Sequence, residues 1–289
     1  MNIDTQLMQF KTEIETAIRQ EGSKGKESLI RSSVLINYIH DAVKNEFIQL
    51  GIDEELIYPR LYATKPELKL AGFLKQKDQD ICITPRNIAK KKTKIVWGPL
   101  ASVNPPKYDE YGSEFSTQTL VINVRSQISS IKKNTDTLFE RTFAEALNLH
   151  MKYPEIVLGE VYLIPLYEYD EDSVKQKKVA FSNAKTDIEK YISFFSSINQ
   201  RRLSEIDKRG DLVEGKYYAY ERCALLIVDF NRDIPKLYQS TDELKTAELI
   251  NRDSPLNLDE LSFRSFAKDI LQVYASRFDI NNLRSKRPH

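Results

Sequence analysis

The chain has 289 residues, 41% apolar and 29% charged, so it can bury a large core without disulfide staples. Lys plus Arg number 43 and Asp plus Glu 42, a net charge of +1 that excludes a wholesale polycation but not a local basic groove. Nine glycines form no Gly-x-Gly-x-x-Gly and no P-loop, and His40, His150 and His289 are too dispersed to supply a His-rich zinc site or a Ser-His-Asp hydrolase well.

Residues Met1 to Thr5 carry neither a basic start nor an apolar stretch, so no secretory signal is expected, and apolar runs such as Ala224–Val228 are too short to span a bilayer. Residues 5–20 have helical spacing and end before the Gly22-Ser23-Lys24-Gly25 breaker. A longer helix is predicted from about Ser28 to Leu50. Its stripe is Leu29, Ile36, Ile39, Val43, Phe47 and Leu50, with Gly51 as the terminating residue and with His40 and Glu46 beside the stripe.

Two extended runs follow, 68–76 and 80–85, the second containing Cys82. Cys82 and Cys223 both lie in apolar runs and read as buried thiols of a reducing, cytoplasmic compartment. The basic loop 86–94 holds Arg86, Lys90, Lys91, Lys92 and Lys94, with Trp97 close behind. Thr119 to Val124 is a strong strand, four of its six residues being β-branched. An amphipathic helix is predicted over 135–152, stopped by Pro154, and a buried strand over 156–169. A helix near 183–199, a strand through 217–230 and helices near 241–250 and 258–278 close the chain. Strand, crossover helix and strand favour a parallel pair inside a mixed sheet, and hence an α/β fold.

This order resembles the core of the PD-(D/E)XK nuclease superfamily, whose best-known branch is the type II restriction endonucleases. The stretches that carry the resemblance are Lys77-Asp78-Gln79-Asp80-Ile81-Cys82-Ile83, Leu120-Val121-Ile122-Asn123-Val124-Arg125-Ser126-Gln127, the helix from Phe139 and the strand from Val157. They cover about a third of the chain. The resemblance implies a restriction-endonuclease-like mixed central sheet flanked by helices. Residues 1–27 would be an N-terminal helical arm and 28–289 a single domain, with the nuclease core at about 68–170 and a C-terminal strand and helices over 180–280.

It also implies hydrolysis of double-stranded DNA with Mg²⁺, a hard cation that oxygen ligands would hold at the scissile phosphate. Asp80 takes the position of the family's metal-binding Asp. Where the family has Glu-x-Lys this chain has Asn123-Val124-Arg125, and an arginine cannot act as a base. The second metal carboxylate would then be Glu140, with Glu145 in reserve, or Glu46. Arg125 would contact phosphate, and Asn123 or Gln127 would position water or metal. The loop cations Arg86, Lys90, Lys91, Lys92 and Lys94, with Arg201 and Arg202, are the candidate DNA contacts. Cutting two strands calls for a twofold homodimer, or for a heterodimer if the variant motif makes this chain a non-catalytic DNA-binding or partner subunit.

Overall fold

The computed structural model describes residues 2–199 and 217–285. Helices α1 (Ile3–Glu21), α2 (Ser23–Arg31) and α3 (Val34–Gln49) come first. Then follow β1 (Ile57–Tyr58), β2 (Leu68–Ala71), β3 (Gln76–Gln79), β4 (Ile81–Ile83), β5 (Thr93–Lys94) and β6 (Tyr108–Asp109). The short helix α4 (Ser113–Thr117) leads into β7 (Leu120–Ser126), α5 (Ile131–His150), β8 (Val157–Pro165) and β9 (Tyr167–Tyr169). The chain continues through α6 (Glu171–Lys175), β10 (Phe181–Lys185), α7 (Ile188–Ile198), β11 (Arg222–Asp229), β12 (Lys236–Tyr238), α8 (Thr241–Thr246) and α9 (Phe263–Arg277).

Six strands form one mixed sheet in the order β1-β4-β7-β8-β11-β12. The β1–β4, β4–β7 and β11–β12 pairs are antiparallel, while β7–β8 and β8–β11 are parallel. The expected parallel pair joined by a crossover helix is therefore β7–α5–β8. The fold is mixed α/β, with helices on both faces of the sheet.

Alternation along the strands sorts their side chains into two cores. Ile81, Ile83, Leu120, Ile122, Val157, Val161 and Leu163 pack with α1, α3 and α9. Cys82, Val121, Leu158, Tyr162, Ile164, Cys223 and Leu225 pack with α5 and α7. Both cysteines are free and buried. Gly159 faces α9, where a Cβ would lie 2.7 Å from the Phe266 ring and 2.8 Å from Ile270, so its lack of a side chain lets that helix close on β8.

Two expectations change. The 1–27 segment is not an arm. Leu7, Phe10, Ile14 and Ile18 of α1 are fully buried in the first core, and Phe10 stacks on Phe230 at 5.4 Å. Each such side chain is worth about 1.5–3 kcal/mol of burial, which a free helix would forgo. The helix expected over 28–50 is broken at Ser32 and Ser33. Ser32 is extended (ψ 161°) and its hydroxyl accepts the Val34 N–H at 3.3 Å, a local bond that competes with helix continuation. Gly51 does end α3 as expected, with φ +87° and its N–H on the Ile48 carbonyl.

Candidate functional site

The alternation that builds the second core also carries polar groups onto the same face of the sheet. Asp80 shares its parity with Cys82, Asn123 and Arg125 share theirs with Val121, and Glu160 lies between Leu158 and Tyr162. The register sets Asn123 opposite Glu160 and Ile122 opposite Ile81, so these residues meet where the start of β4, the second half of β7 and β8 adjoin. Helix α5 closes over them with Thr142 and Glu145, three residues apart and thus on one helical face.

Arg125 is the hub. Its guanidinium donates to Thr142 Oγ1 at 2.8 Å, pairs with Glu160 Oε1 at 3.0 Å and pairs closely with Glu145 Oε2. Lys77, from β3, reaches the same Glu145 oxygen at 2.6 Å. Asp80 accepts the Val124 N–H at 2.9 Å. Asn123 Nδ2 lies 3.5 Å from the Tyr220 hydroxyl, which in turn donates to the Thr142 carbonyl at 2.9 Å. Exposure falls inward, from 26% at Lys77 through 17% at Arg125 to zero at Glu160.

Charge follows that gradient. Burial pushes Glu160 up to about 8, against the pull of Arg125, so it is mostly protonated at neutral pH. Burial also raises Asp80, opposed by Lys77 and the Val124 N–H. Glu145 goes the other way, because Arg125 and Lys77 outweigh its desolvation. Burial works against the charge of Arg125, yet Glu160 and the other acidic neighbours hold the guanidinium above its ordinary value. The lowered Glu145 carboxylate therefore faces two basic groups, Arg125 and Lys77.

A cleft of about 550 Å³ opens beside this cluster, at the C-terminal end of β7. Arg125, Gln127, Tyr162, Glu145 and Arg141 line it on the β7 and α5 side, and Ile30, Ser32, Leu35 and Ile36 face them. The carboxyl end of a parallel strand is where α/β sheets commonly receive ligands. Gln127 is fixed there by the Tyr162 hydroxyl on its Oε1 at 3.0 Å and by its Nε2 bonds to the Ser130 and Ile131 carbonyls. The N-terminus of α5 is already satisfied by Glu168, which accepts the N–H groups of Ser130 at 2.7 Å and Ile131 at 3.2 Å.

The structure thus brings Asp80, Asn123 and Arg125 together, sets Gln127 at the cleft, and uses the reserve carboxylate Glu145 in place of Glu140. Glu140 is solvent-exposed. Five residues of α5 separate the two, about 140° around the axis, so they cannot face the same strand. Glu46 is half-buried on α3 and its carboxyl is raised by burial, with no charge of the cluster acting on it. His40 is half-buried on α3 and held down to about 4, by desolvation first and then by Lys44.

The basic loop does not line the cleft. Arg86 pairs with Asp53 and donates to the Arg284 carbonyl. Lys90 sits 5.4 to 5.8 Å over the rings of Tyr58, Tyr111 and Phe115, and Lys92 pairs with Glu110 at 2.8 Å. Lys91 and Lys94 are exposed. Trp97 is taken by Lys152, whose ammonium lies 3.7 Å over its ring, and by the Gly72 carbonyl. Arg201 and Arg202 lie outside the described residues. Sequence reasoning missed Glu160, Lys77 and Tyr220 as members of the cluster. Glu160 left a signal, as the one charged residue in the strand Val157–Pro165.

The Mg²⁺ implied by the nuclease resemblance can be tested against these side chains. Their chemistry suits a hard cation: both Glu160 oxygens lack a hydrogen bond, and so does the buried Asn123 Oδ1 beside them. Their arrangement does not suit it, because Arg125 and Lys77 engage the carboxylates. Among the described residues no group of three His, Cys, Asp or Glu side chains could hold a metal. Nor, among the described residues, is any helix long and apolar enough to cross a membrane. Comparison of the chain with protein-family models, with curated proteins and with solved structures gives no match.

Proposed function

We propose that the chain acts on double-stranded DNA as a restriction-type endonuclease with a restriction-endonuclease-like core formed by α3, β1, β4, β7, α5 and β8. One observation carries the reading. An acid at the start of β4, polar residues two apart on β7 and a carboxylate on α5 converge on one cluster next to an open cleft. At that cleft Arg125 and Arg141 offer guanidinium donors to phosphate oxygens, with Gln127 fixed on its wall. Cleavage of both strands would use two copies related by a twofold axis.

A second reading, a DNA-binding partner subunit without its own chemistry, is favoured by Arg125. While its guanidinium pairs with Glu145 and Glu160, the Mg²⁺ of such an activity has no seat among these side chains.

The deciding experiment incubates the purified chain with unmethylated phage DNA and Mg²⁺, alongside Glu145→Gln, and measures DNA retention against salt. Discrete fragments from the wild type, with at least a ~100-fold loss in the variant, support the endonuclease. Salt-sensitive retention without cutting supports the partner subunit. Neither cutting nor retention overturns both.

A further inference from the structure

We infer that the cleft takes a single nucleoside 5′-monophosphate unit, its phosphate on Arg141 and its base between α5 and the α2–α3 bend. The inference builds on the reading of this cleft as a phosphate-facing site, but it needs neither strand cleavage nor a metal.

Size comes first. About 550 Å³ is the scale of a small-molecule site and too little for a duplex, so what enters is one unit of a nucleic acid or a free molecule of that size. The shape of the walls then narrows the class. Asn134, Leu138, Arg141 and Glu145 recur at steps of three and four residues and form one stripe along α5. Asn134 and Arg141 lie about 10 Å apart along the helix axis. Across the gap Ile30, Leu35 and Ile36 supply an apolar wall. A matching ligand has a broad apolar face, a hydrogen-bonding edge and an anion at one end.

Pairing shows which polar groups are left to meet it. Arg125 and Glu145 are committed to the buried cluster, and Gln127 to Tyr162 and the carbonyls of Ser130 and Ile131. Among the described residues, Asn134, Thr137 and Arg141 are exposed with no side-chain partner, and Arg141 carries the unpaired charge of the wall. Glu145 is already balanced by Arg125 and Lys77, so the free charge of the cleft is positive. A guanidinium suits phosphate through paired N–H donors. An amide with donor and acceptor both free suits the edge of a base. A fatty chain would leave that amide unpartnered, and a bare phosphate would leave the apolar wall unused. The unit can arrive as a free nucleotide or unstacked from a DNA strand, and both present the same groups.

The test is titration calorimetry of the full chain with each of the four deoxynucleoside 5′-monophosphates in EDTA. At least one is expected to bind one-to-one with a Kd below about 1 mM. Arg141→Gln, a substitution outside both cores, should weaken it at least ~10-fold, and the matching nucleoside should bind wild type at least ~10-fold less tightly. Asn134→Ala should narrow the differences among the four bases. Displacement of the bound monophosphate by unmethylated phage DNA assigns the unit to a DNA strand, and its retention beside DNA assigns it to a free nucleotide. Three results overturn the inference: no binding of any of the four, an Arg141→Gln that binds as tightly as wild type, or inorganic phosphate binding as tightly as the nucleotides. Monophosphate binding without DNA retention would sink the endonuclease alone, and DNA cutting without monophosphate binding would sink this inference alone.

Discussion

Asn148 shows how much a single side chain does for the site without belonging to it. It sits on α5, 2% exposed, and its Oδ1 accepts the N–H groups of Leu74 at 2.8 Å and Lys75 at 3.0 Å while its Nδ2 donates to the Lys75 carbonyl. Its own carbonyl accepts the Phe73 N–H at 2.7 Å. These bonds add to the turn's own Gly72 N–H bond on the Lys75 carbonyl, and they fix the turn that leads into β3, from which Lys77 meets Glu145. Asn148→Ala strands the backbone donors of Leu74 and Lys75, while the Lys75 carbonyl keeps the Gly72 N–H, at a cost of about 2–4 kcal/mol, to be read from urea unfolding. DNA retention by the folded fraction should weaken less than stability does, since no contact of the cleft is removed.

At the scale of elements, the close approach of α9 to β8 depends on Gly159. Gly159→Ala forces the Phe266 ring and Ile270 outward in a packed core, with an expected loss of about 1–3 kcal/mol and a lower urea midpoint at unchanged slope.

The elements themselves were largely legible in the sequence. The β-branched and apolar runs at 119–124 and 156–169, and the helical stripe between them, point to β7–α5–β8, because a strand buried on both faces reads as a near-continuous apolar run. Boundaries that depend on side-chain capping were not legible. Ser32 and Ser33 read as tolerable helix residues until one hydroxyl captures the next N–H. Glu168, which lets α5 begin at Ile131 rather than near 135, is distant in sequence from the helix it caps.

The candidate site was half legible for the same reason. Asp80, Asn123 and Arg125 follow from strand position, whereas the choice of Glu145 over Glu140 turns on helical phase. Glu160 needed the register of β7 against β8. The placement of 86–94 away from the cleft was not legible, because a lysine cluster carries no mark of the acids and rings that engage Arg86, Lys90 and Lys92 in the fold.

For the whole molecule, a second buried charge group ties the far end of α5 to the rest. His150 Nε2 lies 3.4 Å from Glu221 Oε2, while Glu221 also accepts the Leu158 N–H at 2.7 Å and pairs through Oε1 with Arg277 at 3.0 Å. Burial disfavours the charge on His150, but Glu221 outweighs it and raises the imidazole above 6.5. Burial likewise opposes Glu221, and His150 and Arg277 bring it below 4.5. A raised histidine stabilises fully below 6.5 and loses that contribution as pH rises through its folded value. A lowered glutamate stabilises above 4.5 and loses its contribution as pH falls through its folded value. The pair is therefore at full strength between about 4.5 and 6.5, and its stabilisation declines on both sides. Chemical unfolding across pH 3–9 should show His150→Gln missing the alkaline decline and Glu221→Gln missing the acid one.

The cleft has one more consequence, which comes from where its walls originate. Val124 and Ile128 on its floor belong to the core under α1, α3 and α9, while Tyr162 belongs to the core under α5 and α7. Its rims likewise come from the α2–α3 bend on one side of the sheet and from α5 on the other. An occupant would thus act as a cross-brace between two layers that the sheet holds apart. Filling the space would stiffen both halves at once, and whatever loosens one layer would loosen the grip on the occupant from the other.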